Sequence, residues 1–205
     1  MKLYKRFFKR GIDITASGLG LLVLSPLIGA VTLWLYFANK GAGAFFIQER
    51  PGKDCKPFKV VKFKSMTDEM DENGNLLPNE QRMTKVGSFI RATSIDELPQ
   101  LWNVFKGDMS LIGPRPLLTE YLPYYTKDEM RRHEVRPGIT GMAQLHGRNG
   151  ASWESRFSYD VWYVDNLSFM TDVKILLSTV AKVLKREDVT VPSNEKLKDR
   201  YKNND

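Results

Sequence analysis

Three short stretches of the chain gather side chains that can handle phosphate or a metal ion. The first is Arg91-Ala-Thr-Ser-Ile-Asp96-Glu97-Leu-Pro99. Its adjacent carboxylates, with an arginine five residues upstream, suit phosphate or metal chemistry at a helix start. They also suit plain structure: Ser94-x-x-Glu97 has the spacing of a capping box, and Asp96 in a first turn complements the helix dipole. The second stretch, residues 107–116, ends in Gly113-Pro114-Arg115-Pro116. A residue before proline avoids the α region, so Arg115 is held in extended backbone. A fixed guanidinium is a bidentate donor to phosphate or, alternatively, one half of a structural ion pair. The third is Arg136-Pro-Gly-Ile-Thr140-Gly141, followed by Gly147-Arg148-Asn149-Gly150. Its glycines either let backbone N–H groups approach an anion or make ordinary turns. Lys62 and Lys64 add two cations on an expected strand. His146 has no partner in the sequence and reads as structural or solvent-exposed. No Walker A sequence, dinucleotide fingerprint or nucleophile elbow occurs.

Residues 41–205 read as an α/β unit that holds these stretches. Short strands are expected at residues 44–48 and 58–63 around the Pro51-Gly52 turn. Residues 64–82 are polar and read as loop or short helix. Leu98, Leu101, Trp102 and Phe105 have amphipathic helical spacing, and Gly107 ends that helix. Thr126-x-x-Glu129 is a capping box before a short helix ending near His133. Helices follow over residues 153–166 and 168–186. The latter carries one apolar stripe of Phe169, Val173, Leu176, Leu177, Val180, Val183 and Leu184. The expected fold class is therefore α/β, mostly helical with a small antiparallel strand element. Residues 1–40 are expected as a separate basic and apolar N-terminal segment, residues 41–187 as one compact domain, and residues 188–205 as a polar, frayed tail.

Composition narrows the setting. A chain of 205 residues, 42% hydrophobic and 27% charged, is long enough for a real core. One cysteine, Cys55, excludes a disulfide scaffold, and two histidines leave little for a zinc site. The net charge of +7 calls for an anionic partner. Residues 1–50 hold seven basic residues and two acidic ones, and within them residues 14–39 are an uncharged run of 26. Such a run is a membrane-helix candidate and is too long for the apolar region of a signal peptide. Ser25-Pro26 falls at its middle, where the ring of Pro26 disturbs a helix and removes its bond to Leu22. Both flanks are basic, which places both ends on the cytoplasmic side. A re-entrant helix-break-helix satisfies both features, with Ser25 Oγ serving a carbonyl freed by Pro26. A kinked span is the competing reading. Basic residues beside an apolar run, with no recognised nucleic-acid motif, exclude nucleic acid as the expected partner.

Taken in order, Lys62-Phe-Lys64-Ser-Met66, Ser94-Ile-Asp96-Glu97-Leu-Pro-Gln-Leu, Asn103-Val-Phe-Lys-Gly-Asp108-Met-Ser, Gly113-Pro-Arg-Pro116 and Arg136-Pro-Gly-Ile-Thr-Gly141 resemble the bacterial sugar transferase family. These are the monotopic polyprenyl-phosphate phosphoglycosyl transferases, and the chain is similar to their small, minimal form. The likeness covers residues 5–186. It departs at Met142, where tryptophan is usual, and at Leu145-His146, which bears on sugar preference. The resemblance implies transfer of a phospho-sugar from a UDP-sugar to polyprenyl (undecaprenyl) phosphate. UMP is released, and glycan assembly begins at the cytoplasmic face of a bacterial inner membrane. It implies Asp96 as covalent nucleophile and Asp96 with Glu97 as ligands of Mg²⁺. Glu97 is either that ligand or an aid to the second step. Lys62, Arg91 and Arg115 would hold phosphoryl oxygens, with Arg136 and Arg148 in the phosphate and nucleotide site. Anionic lipids and downstream glycosyltransferases are the implied partners. The alternative is a non-catalytic, membrane-anchored relative that binds nucleotide or a partner protein.

Overall fold

The computed structural model describes residues 3–146, 152–185 and Leu197. Its longest element is α1, Lys9–Ala38, preceded by one π turn over Tyr4–Phe8. The helix passes through Pro26 as one continuous element, where two helices and a break were expected. Ser25 lies next to the missing bond and supplies a substitute. Its Oγ donates at 2.8 Å to the carbonyl of Leu22, the acceptor that Pro26 cannot serve.

Both limbs of α1 are tied to the rest of the chain. On the first limb, buried Asp13 accepts from Ser110 Oγ and the Leu111 amide, both at 3.0 Å. Arg10 donates to the carbonyls of Val104 and Phe105. Gly18 and Gly20 let Phe105 and Leu101 approach the helix; a Cβ at Gly18 would lie 3.2 Å from the Phe105 ring. On the second limb, Val31 and Leu35 are buried in a cluster with Ala44, Phe63 and Ile90. Asn39 closes the helix by donating from Nδ2 to the carbonyls of Gly43 and Lys64. Between these anchors, residues 21–30 contain no buried side chain.

Strands β1 (Phe45–Pro51) and β2 (Pro57–Phe63) form the expected antiparallel hairpin, with Phe46 opposite Lys62. The other edge of β2 is satisfied by a side chain. Buried Asn103 accepts from the Val61 amide and donates to the Lys59 carbonyl, standing in for a third strand. After the polar segment come α2 (Asn79–Arg82), α3 (Lys85–Ala92) and α4 (Gln100–Lys106). Gly107 ends α4 at φ 109°, the left-handed cap that glycine adopts without strain.

A second ladder was not expected. β3 (Ser110–Ile112) pairs in parallel with β4 (Gly138–Thr140). Two segments of three residues carry too little periodicity to be read as strands. Gly113, Gly138 and Gly141 sit where these segments cross, and a Cβ on any of them would lie within 2.4 Å of backbone. Close backbone packing therefore accounts for these glycines. α5 (Met142–His146), α6 (Trp153–Asp165) and α7 (Phe169–Lys185) complete the fold. They bury Leu145, Tyr163, Val164, Leu167 and Ile175 against Ile112 and Val135. The Thr126–Glu129 capping box is present in both directions. Leu197 packs with Tyr121 and Phe157, and the other residues of the 188–205 tail lie outside the described residues.

The apolar stripe of α7 faces outward, and that of α4 is divided between solvent and α1, where Leu101 and Phe105 meet Gly20 and Gly18. Trp102 and Phe105 are exposed, as are Phe169, Leu176, Leu177, Val180 and Val183. The buried positions are Gln100, Asn103 and Val104 on α4, and Asp172 and Ile175 on α7. Asp172 accepts from Tyr4, Lys9 and Tyr163, which ties α7 to the start of α1.

Candidate active site

The Asp96-Glu97 pair lies on a 3-10 turn, Ile95–Glu97, between α3 and α4. Thr93 closes α3, and Ser94 follows in the left-handed region at φ 56°. That conformation reverses the chain and rules out the capping box: Ser94 makes no side-chain cap bond. Glu97 is thereby released from a local role. Its Oε1 accepts from Lys62 Nζ at 2.7 Å and from Arg115 Nη2 at 2.9 Å. Lys62 arrives from β2, and Arg115 from the double-proline loop after β3. Three distant segments thus meet at one carboxylate oxygen.

Burial alone would raise the Glu97 pKa, but the charges of Arg115 and Lys62 bring it down to about 2. Asp96 differs from its neighbour. Its carboxylate has no hydrogen bond or ion pair among the described residues. Burial, then the adjacent Glu97 charge, pushes its pKa up to about 6 against Lys62, Arg115 and Arg91. The site therefore pairs a clamped carboxylate with an unclamped one of raised basicity. Lys62 is pulled below its ordinary value by burial and by Arg115.

Lys62, Arg115, Asp96 and Glu97 lie together, and Arg91 is exposed within electrostatic reach of Asp96. Arg136 is placed elsewhere: its Nε donates to the Gly107 carbonyl at 2.8 Å, against the cap of α4. Arg148 lies outside the described residues. Lys64 bonds the Ala42 carbonyl and Asp68. His146 is exposed and rests on Tyr159. Among the described residues, no group of three or more His, Cys, Asp or Glu is placed to hold a metal ion. Two carboxylates suffice for Mg²⁺, which keeps several waters and is usually shared with substrate phosphates.

Two neighbours of the site were missed. Arg50, at the end of β1, is lowered by burial and by the Arg115 charge. Arg132 lies in a 3-10 helix, Glu129–Glu134, and forms a buried pair with Asp160 of α6. In sequence, Arg131-Arg132-His133 is the end of the short helix expected after the Thr126–Glu129 capping box. The available signal was Asp160, a lone carboxylate on the buried side of α6 beside Phe157, Val161 and Val164.

The model of the bacterial sugar transferases matches residues 4–186. The chain belongs to the bacterial sugar transferase family. It is 56% identical over 181 residues to the uncharacterized sugar transferase EpsL of Bacillus subtilis, covering 88% of this chain and 89% of that protein. It is 40% identical over 196 residues to the exopolysaccharide production protein PSS of Rhizobium leguminosarum, covering 87% and 96%. Identity is 42% over 185 residues with a UDP-glucose:undecaprenyl-phosphate glucose-1-phosphate transferase of Klebsiella pneumoniae, covering 85% of this chain. The match spans 40% of the length of that longer protein.

Proposed function

We propose that this sugar transferase moves a sugar 1-phosphate from a UDP-sugar to polyprenyl phosphate and releases UMP, at the cytoplasmic face of a bacterial membrane. The observation that carries this reading is the asymmetric carboxylate pair. Glu97 is neutralised by Lys62 and Arg115, while Asp96 stands unengaged beside it. A carboxylate without partners is free to attack phosphorus, and the nearby cations draw the donor phosphates to it. The name of the Klebsiella relative gives the same donor and acceptor classes.

In the first step an Asp96 oxygen bonds to the sugar-bearing phosphorus and the bond to UMP breaks. In the second, an oxygen of polyprenyl phosphate attacks that phosphorus and the bond to Asp96 breaks, regenerating the carboxylate. Asp96 and Glu97 would hold Mg²⁺, which when bound would supply neutralisation of the charge that develops on the leaving UMP. Arg115 and Lys62 hold Glu97 in place and present their remaining N–H groups to phosphoryl oxygens. Arg91 extends the cationic surface toward solvent.

The membrane placement rests on α1. It is long and apolar enough to cross a membrane. Yet Asp13 on one limb and Leu35 on the other both join the folded unit, leaving an apolar tip around Ser25-Pro26. A helix tied to the same folded unit near both ends would lie within one leaflet and not cross both. The outward stripe of α7 and the exposed Trp102 of α4 then lie against the headgroup region, and the basic N-terminal residues meet anionic lipid.

The test is UMP release by purified protein with Mg²⁺, undecaprenyl phosphate and a panel of UDP-sugars. Release with at least one sugar, dependent on the lipid for multiple turnovers, supports the reading. Nucleotide binding without release from any of them favours a non-catalytic relative.

A further inference from the structure

The loop that carries Arg115 is held from behind by a buried charge pair. Arg132 and Asp160 have side chains only 2% and 4% exposed. Arg132 Nε and Nη2 donate to Asp160 Oδ2 at 3.0 and 2.7 Å. Nη1 reaches the Tyr125 hydroxyl at 3.3 Å, and the rings of Tyr125 and Phe157 lie 5.7 and 5.6 Å from the guanidinium carbon. Nη2 also donates to the Arg115 carbonyl at 2.7 Å.

That last bond falls at a sensitive place. The peptide between Arg115 and Pro116 has no N–H, so its carbonyl is its only main-chain hydrogen-bonding handle. Just before it, the Gly113 amide donates to the Thr140 carbonyl and the Pro114 carbonyl accepts from the Gly138 amide. The Arg115 carbonyl is therefore the third fixed point of the loop, and the orientation of that peptide sets where the Arg115 side chain leaves the backbone. The guanidinium then meets Glu97. Burying a charge pair is not in itself stabilising relative to apolar residues of similar volume. Here, besides the Tyr125 hydroxyl, it reaches the carbonyl of Arg115, whose side chain meets Glu97.

We infer that Arg132, braced by Asp160, is a positioning residue that acts through Arg115 on the donor-phosphate site. This rests on the transferase reading of that site. Arg132→Lys keeps the charge against Asp160 but lacks the fork needed to hold Asp160 and the Arg115 carbonyl together. Because a misplacement of ~1 Å can cost on the order of 10²-fold in rate, kcat/KM for the UDP-sugar should fall roughly 10–100-fold.

The decisive experiment is a double-mutant cycle in UMP release, combined with hydrogen exchange of the full-length protein. Arg132→Lys added to Arg115→Lys should cost little more than Arg115→Lys alone, since the two share one route. Exchange at the Gly113 and Gly138 amides, which bond across this loop, should quicken in Arg132→Lys while α1 and the β1–β2 hairpin keep their protection. Additive losses, or an unchanged KM with only a smaller active fraction, would mean that the pair serves general stability. Unchanged exchange at Gly113 and Gly138 overturns the inference even if the protein releases no UMP; that lack of release refutes only the transferase reading. If Arg132→Lys does not fold, Tyr125→Phe removes one bond to Arg132 and should give the same pattern at smaller size.

Discussion

Replacing Asp96 by asparagine should stabilise the protein while silencing it. Folding lifts the Asp96 carboxyl from 3.8 to about 6, so the native state favours its protonated form. A group raised in this way contributes stability below its unfolded pKa and loses it as pH rises through the folded one. Asparagine imitates the neutral form at every pH. The shift of about two pKa units corresponds to about 3 kcal/mol. Working the linkage through, the advantage of Asp96→Asn should be about 3 kcal/mol at pH 8 and about 0.5 near pH 4. For a chain of this size, 1 kcal/mol moves the melting temperature by roughly 2–4 °C. The assay is paired thermal or denaturant unfolding of wild type and Asp96→Asn in one detergent or nanodisc, without Mg²⁺, between pH 4 and 8. Adding Mg²⁺ should narrow the gap, because the ion favours the carboxylate. An asparagine variant no more stable at pH 8, or a gain that ignores pH, would refute the picture of an unpartnered carboxylate under electrostatic stress.

Other outcomes follow from the same contacts. The donor half-reaction should rise with pH through about 6 at low Mg²⁺, as Asp96 loses its proton; a flat profile between pH 5 and 8 counts against Asp96 as nucleophile. Glu97→Gln removes the charge that Lys62 and Arg115 share, so turnover should drop at least 10²-fold, with exchange between UMP and UDP-sugar showing which step suffers. For topology, cysteines at Lys2 and Ala42 in a Cys55→Ser background should both resist an impermeant thiol reagent in intact cells, whereas labelling at residue 2 alone would indicate a span. Replacing Pro26 by leucine should shift part of the population toward that span, since it restores a backbone donor to the bond with Leu22.

The motifs made the site legible because each side chain sits in a short, strongly constrained stretch. Pro114 and Pro116 marked Arg115, and the Asp96-Glu97 pair fell beside a breaker-rich boundary. The strand hairpin and α6–α7 were readable from alternation and helical spacing. What could not be read depended on long-range placement. The left-handed turn at Ser94 converts an expected capping glutamate into the hub of an ion-pair cluster, and nothing local to residues 94–97 announces it. Arg136 shares a motif with functional-looking neighbours, yet its side chain is taken by the carbonyl of Gly107. The β3–β4 ladder is three residues long, and its glycines serve crossing backbones. The outward stripe of α7 obeys helical periodicity, but periodicity does not say whether an apolar face meets a core or stays exposed.

The central claim is that Asp96 carries the phospho-sugar between donor and lipid. It is tested most directly by mass spectrometry of protein quenched after mixing with a competent UDP-sugar and Mg²⁺ in the absence of polyprenyl phosphate. The account predicts a sugar-phosphate adduct on the peptide containing Asp96, lost on adding the lipid and absent from Asp96→Asn. Robust turnover with no adduct, together with an active Asp96→Asn enzyme, would contradict it and point to direct transfer between two bound substrates.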